Sequence, residues 1–262
     1  MLEVNNLKIT VKDKILVDNI NFKINKNESL GIIGQSGSGK TLTALAIIGL
    51  LDKKIYNFSG SIKFFDREIL KLQEKEIASI RLSDIAIVYQ NPFNTFSPVE
   101  KIDKQIDRIY KIKKLKRNEE KISSLLKVVS LNENHLKKCP HELSGGELQR
   151  LVIITALLLK PKILICDEPT TSLDKDTGIK IVRFLDKYRR EEKMSLIFIT
   201  HNLNIVGKVS DKLLIMKNGK IIERGAVSEV INNPKEEYSR KLLKLFKLGD
   251  YNAGNQKFNS KL

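Results

Sequence analysis

The 262-residue chain has no tryptophan, only two cysteines and only six prolines. Cys139 and Cys166 alone make no disulfide framework, which excludes the small secreted scaffolds that depend on one. No apolar run approaches the roughly 20 residues that span a bilayer. The longest, LVIITALLL at 151–159, has nine. The N-terminus, MLEVNNLKIT, alternates apolar and polar residues and so lacks a secretory h-region. Acidic residues are also scarce: 31 Asp and Glu stand against 47 Lys and Arg, a formal charge of +16. With 41% hydrophobic and 30% charged residues there is material for a core and no disorder signature. The expectation is a soluble, basic, intracellular protein. The positive charge suits a polyanionic partner, but the lysines are spread along the chain with few interleaved aromatics, so they read as solvated faces and no nucleic-acid partner is expected.

The periodicity predicts an α/β chain. Residues 2–10 and 18–24 alternate like an antiparallel strand pair, and 59–70 reads as an edge strand after a turn. SLGII at 29–33 is a short buried strand followed by a glycine-rich loop and an eleven-residue helical stretch, TLTALAIIGLL. IAIVYQ (85–90), KILICDE (162–168) and SLIFITH (195–201) are apolar, β-branched runs that each end in a polar residue. Such runs are buried on both faces, as in a parallel sheet covered by helices, and ligands of open parallel sheets sit at the carboxyl ends of the strands. This pattern assigns the glycine loop, Gln90, Asp167, Glu168 and His201 to one rim. Residues 99–131 read as two amphipathic, lysine-rich helices broken near 116–118, and Asn218 and Gly219 mark a type I′ hairpin. An amphipathic helix is expected over 235–248, with its apolar stripe packed on its own domain, followed by a polar tail.

Three motifs carry chemistry. GQSGSGKT at 34–41 fits G-x-x-x-x-G-K-[ST] between a strand and a helix. Gly34, Gly37 and Gly39 let the backbone of Gln35, Ser36 and Ser38 turn its N–H groups inward. Lys40 adds a point charge for the β- and γ-phosphates, and the Thr41 hydroxyl suits Mg2+. In ILICDE, Asp167 closes a buried strand and suits Mg2+ through its water shell, while Glu168 is placed to act as general base on a water. In LSGGELQR, Ser144, Gly145 and Gly146 open an amphipathic helix and make a second anion-receptive tip. One γ-phosphate needs only one cradle, so a second implies more than a lone active site.

With these motifs, Gln90 at a strand end, SLD at 172–174 and His201 in this order, the chain resembles the ATP-binding cassette (ABC) ATPases over about residues 2–232. The resemblance implies an ATP- and Mg2+-dependent P-loop cassette: a mostly parallel sheet with an antiparallel β edge and a small helical subdomain. It implies head-to-tail pairing with a second cassette, each ATP lying between one P-loop and Leu143, Ser144, Gly145, Gly146 and Glu147 of the other chain. Gln90 would contact Mg2+ or the lytic water, and His201 would bond the γ-phosphate and support Glu168. Ser172, Leu173 and Asp174 would form the interface loop joining the two sites. The family's usual adenine-stacking aromatic is missing: its slot falls near Val11, and no aromatic occurs from Leu2 to Asn21. Losing that stacking costs about 1 kcal/mol.

A narrower likeness is to the peptide/nickel importer branch, carried by REILKL, QNPFNTFSPVEKI and NNPKEEYSRKLL. That branch tends to carry a His-Pro where Glu236 and Glu237 stand here. The ending at 262, without a cysteine after Cys166, and QNPFNTFSP lean toward nickel or a metal chelate, with oligopeptide or dipeptide import as the alternative. The expected organisation is an ATP-binding core at 1–90 and 144–232, a helical subdomain at 91–143 that meets membrane partners, and a C-terminal helix and tail at 233–262. The implied partners are a second cassette, two transmembrane permease subunits and an extracytoplasmic solute-binding protein, with the chain peripheral at the cytoplasmic face of the membrane. A nucleic-acid-associated ABC ATPase is the rival class, but there is one cassette and no room for a long coiled coil between Gln90 and Leu143. Cys139 and His141 make a poor metal pair, so no structural metal is expected.

Overall fold

The structure, a computed structural model, describes residues 1–245. In chain order its elements are β1 (Leu2–Val11), β2 (Lys14–Ile24), β3 (Ser29–Gly34), α1 (Lys40–Ile47), β4 (Asn57–Phe64), β5 (Arg67–Glu68), α2 (Glu74–Ser83), β6 (Ile85–Val88), α3 (Ile102–Ile112), α4 (Glu119–Val128) and α5 (Gly145–Leu158). There follow β7 (Ile163–Asp167), α6 (Lys175–Glu191), β8 (Ser195–Ile199), α7 (Leu203–Val209), β9 (Lys212–Lys217), β10 (Lys220–Ala226) and α8 (Val227–Asn232). The chain divides into two compact units, Met1–Leu72 with Ile197–Leu262, and Gln73–Leu196. Among the described residues no helix is long and apolar enough to cross a membrane.

The first unit contains an antiparallel sheet in the order β2-β1-β4-β5. Its alternation buries Leu2, Val4, Leu7 and Ile9 on β1 and Val17, Ile20, Phe22 and Ile24 on β2. The period-2 pattern slips after Val4, where the register with β2 shifts. Asn6 takes φ 48°, and its N–H donates to Asn21 Oδ1 at 2.8 Å. One extra residue in the strand thus keeps Leu7 on the core face. A second run of strands has the order β10-β9-β3-β8, with β3 parallel to β9 and β9 antiparallel to β10. All six residues of β3 are buried, as its apolar sequence predicts.

Helix α1 stops at Ile47, short of the eleven residues expected. Gly49 N–H donates to Ala46 O at 3.1 Å and Leu50 N–H to Leu45 O at 2.9 Å. These two bonds are a Schellman ending, which satisfies the last carbonyls and turns the chain away. Residues 237–245 are helical, and Leu242 and Leu243 bury against Ile33, Val206, Leu213 and Ile215, so the described part of the stripe packs on its own unit. The helix starts two residues later than the expected 235, and positions 246–248 and the polar tail lie outside the described residues.

In the second unit β6 runs parallel to β7, from Ile85 opposite Ile163 to Val88 opposite Cys166. Helix α5 is buried nearly all round, which its apolar sequence requires. Helices α3 and α4 form as expected. Asn118 caps α4 by accepting from Lys121 N–H at 2.8 Å, and Arg117 beside it pairs with Asp103, Asp107 and Glu119. Helix α2 was not expected from the sequence. It starts from a capping box between Gln73 and Glu76, a local signal masked by weak amphipathicity.

Candidate functional site

The glycine loop leaves β3 at Gly34 and is held from below. Ser38 N–H donates to Gln35 O at 3.2 Å, and Ser38 O accepts from Gly219 N–H at 3.1 Å. Thr43 gives both its N–H and its hydroxyl to Gly39 O, at 2.9 Å each, which fixes the first turn of α1. The Lys40 ammonium lies across the loop, 2.9 Å from Gly34 O and from Gln35 O. Gln35, Ser36, Gly37 and Thr41 are exposed. A Cβ placed on Gly37 would meet no atom within 4 Å, whereas one on Gly39, at φ 99°, would lie 3.1 Å from Leu16 O. The loop is therefore open on its outer side and braced on its inner side, with a cation and a helix N-terminus beside it. That donor set fits a polyphosphate.

The brace was not legible in the sequence. Asn218 and Gly219 take φ 48° and 78°, as the hairpin turn predicts, but the turn also holds the P-loop through Ser38. A Cβ on Gly219 would stand 2.6 Å from Leu16 O, a backbone atom with nowhere to go. Gly219→Ala should therefore lower unfolding free energy by about 2 kcal/mol and weaken nucleotide binding with it. Chemical denaturation and nucleotide titration of the variant check both.

In the same unit, Thr200 N–H donates to Ile32 O at 3.3 Å, so His201 leaves β8 beside the strand that feeds the loop. Val11 ends β1, paired with Lys14 at the hairpin tip, and that hairpin reaches the loop through Leu16.

In the second unit the β6–β7 register brings Gln90 and the Asp167–Glu168 pair out at one strand end. Asp167 is 5% exposed, a buried carboxylate closing an apolar strand. A carboxylate is a hard oxygen donor of the kind that suits Mg2+. Burial, with Asp167 next in effect, pushes the Cys166 thiol up, so this cysteine is an inert filler. Burial likewise pushes the Tyr89 phenol up, and Asp167 adds to it. Glu168 has φ 51°, the left-handed region that a non-glycine residue enters at a cost of about 1–3 kcal/mol. It is held there by Thr171, whose N–H donates to Glu168 O at 3.3 Å and whose hydroxyl donates to Glu168 Oε2 at 3.4 Å. The sequence predicted the acid but not its conformation.

Leu143 is buried and Ser144 is the N-cap of α5. Ser144 donates its N–H and its hydroxyl to Glu147 Oε2 at 2.8 and 2.9 Å, and Glu147 N–H returns a bond to Ser144 Oγ. The Ser144 N–H bond is the largest of the contacts that hold the Glu147 carboxyl below its ordinary range. His135 Nε2 is 3.3 Å from the other Glu147 oxygen. This capping box leaves the N–H groups of Gly145 and Gly146 without intrahelical partners. A Cβ on Gly146 would come within 3.2 Å of Ser172 O and 3.4 Å of Leu173 Cδ2, so the 172–174 loop lies against the start of α5. Asp174 caps α6 through Thr177 N–H at 3.0 Å, the contact that keeps its carboxyl low. Cys139 and His141 belong to a turn: Cys139 N–H donates to Glu142 Oε2 and His141 Nδ1 lies 3.1 Å from Pro98 O.

Residues 17–171, more than half of the chain, match the ABC transporter family. The oligopeptide transport ATP-binding protein OppD of Salmonella typhimurium is 37% identical over 252 residues, covering 93% of this chain and 75% of the relative. The metal-staphylopine import system ATP-binding protein CntD of Staphylococcus aureus is 37% identical over 250 residues, covering 93% and 92%. The dipeptide transport ATP-binding protein DppD of Haemophilus influenzae is 33% identical over 269 residues, covering 99% and 81%. Among solved structures, the dimeric post-hydrolysis state of the ATP-binding cassette MJ0796, bound to ADP and Pi, superposes with a TM-score of 0.77 at 28% identity, covering 87% of this chain and 99% of that one. The chain belongs to the ABC transporter family, as an ATP-binding cassette whose ATPase activity is coupled to transport.

Proposed function

We propose that this cassette powers the import of small peptides or of metal chelates. The relatives named above carry oligopeptide, dipeptide and metal-staphylopine in their names, and none of these three carries nickel. The lean toward nickel is accordingly dropped in favour of this coarser cargo class. One observation supports a paired mechanism: the chain has two anion-receptive tips, the open loop at Gly37 and the exposed start of α5 at Ser144. A single polyphosphate occupies one, which leaves the other for the nucleotide of a second cassette.

In this reading the backbone of 34–39 and Lys40 bind the β- and γ-phosphates, and Val11 offers an apolar contact to the adenine. Thr41, Gln90 and Asp167 would hold Mg2+, as the family resemblance implies, and the ion would neutralise charge on the phosphates. Glu168 accepts a proton from the attacking water, Gln90 orients that water, and His201 bonds the γ-phosphate and steadies Glu168. Ser144, Gly145, Gly146 and Glu147 receive the partner's ATP, whereas Leu143, expected among them, is buried and does not reach it, and Ser172, Leu173 and Asp174 link the two sites. ATP closes the pair because it binds the two-chain sandwich better than the open monomer, and hydrolysis removes that difference. Residues 91–143 pass the motion to two permease subunits. An extracytoplasmic binding protein delivers the cargo, and the cassette sits at the cytoplasmic face of the membrane. The core at 1–90 and 144–232 does the chemistry.

The test is uptake in proteoliposomes containing the cassette pair, its permeases and its binding protein. ATP-dependent accumulation of labelled di- or oligopeptide, or of a metal chelate, is expected, and duplex DNA should leave the ATPase rate unchanged at low salt. No accumulation of either cargo, with stimulation by DNA, would overturn the reading.

A further inference from the structure

Gln149 stands out in α5. It is fully buried, on a helix whose other buried residues are almost all apolar. Its Oε1 has no hydrogen-bond partner among the described residues, an unfavourable state for a buried amide. Its Nε2 donates to Tyr89 O at 3.2 Å. That carbonyl belongs to the peptide that begins Gln90. The next residue, Arg150, reaches elsewhere: its Nη1 donates to Val129 O at 3.0 Å at the end of α4, and its Nε to Gly146 O at 3.1 Å.

We propose that Gln149 is a positioning residue that ties the helix carrying Ser144 to the backbone of Gln90. A buried amide with one unmet oxygen is poorly chosen for packing, yet its Nε2 grips the backbone at the end of β6. Through it, a shift of α5 when Ser144, Gly145 and Gly146 take up a phosphate displaces the Tyr89–Gln90 peptide, and Gln90 moves with it. Arg150 carries the same shift to α4. The β6–β7 register, with Val88 opposite Cys166, brings the tied peptide out at the same strand end as Asp167. The inference rests on the role proposed above for Gln90 in hydrolysis.

The experiment compares Gln149→Met, similar in volume and without an N–H, with wild type and with Gln90→Ala, using Gln149→Leu if the methionine variant does not fold. The expected loss in kcat is about 10- to 100-fold with KM for ATP within about twofold. In the Gln90→Ala background the Met substitution should cost nothing further, because both act through one group. Hydrogen exchange of the nucleotide-free chain should rise about three- to tenfold at the amides of Gln90 and Asn91 while the rest of α5 stays protected. Wild-type kcat in Gln149→Met, losses that multiply in the double variant, or unchanged exchange at Gln90 would each overturn the proposal. If the wild-type chain hydrolyses no ATP, the role of Gln90 fails, and the exchange measurement still decides whether Gln149 holds the loop.

Discussion

Glu168→Gln is expected to slow ATP turnover by about 10²–10⁴-fold while ATP stays bound. The substitution keeps the size and planarity of the side chain and removes only its capacity to take a proton from water. The backbone at Glu168, with φ 51°, is held by Thr171 and the ends of β7 and α6, so the amide should occupy the carboxylate's place. Persistence of a left-handed residue at the end of a buried strand is itself informative. A non-glycine residue in that region costs about 1–3 kcal/mol, and the Thr171 contacts hold Glu168 in it. Single-turnover assays with labelled ATP separate the two effects: binding at wild-type strength with slow release of phosphate is the expected pair. Wild-type turnover would remove Glu168 from its role as base.

Lys40→Ala should weaken ATP binding by about 10²-fold or more, near 3 kcal/mol, because a charge on the polyphosphate loses its only ammonium partner in the loop. The fold should survive. The ammonium contacts Gly34 O and Gln35 O, and Gln35 is exposed, so water replaces the missing donor there. The loop is also held by Ser38, Gly39 and the Gly219 turn, which the substitution leaves in place. Calorimetric titration with a non-hydrolysable ATP analogue, alongside thermal melts, distinguishes lost affinity from lost structure. Unchanged affinity in a folded variant would mean that the phosphate cradle lies elsewhere.

What the sequence made legible was local. GQSGSGKT, ILICDE and LSGGELQR each encode a turn or a strand end within a few residues, and the structure forms them as loop, strand end and helix N-terminus. The Asn218–Gly219 hairpin was equally plain, because two residues at positive φ leave few alternatives. What escaped was long-range. Nothing near Gly219 says that its N–H will meet Ser38, and nothing near Gln149 says that its amide will meet Tyr89, 60 residues away. Asn6 at φ 48° hides in what reads as simple alternation, and α1 ends early because its last carbonyls are satisfied by Gly49 and Leu50. Cargo escaped for a different reason: in the transport reading the selecting groups reside in other subunits, so no residue pattern here encodes it.

The central claim is that two cassettes grip one ATP from opposite sides. Sedimentation of the Glu168→Gln protein, alone and mixed with its companion cassette, measures this directly. With Mg-ATP the mass should double to that of a two-cassette particle, and with ADP or no nucleotide it should return to the monomer value. Particles that stay monomeric in saturating ATP, in both the single and the mixed sample, would contradict the account.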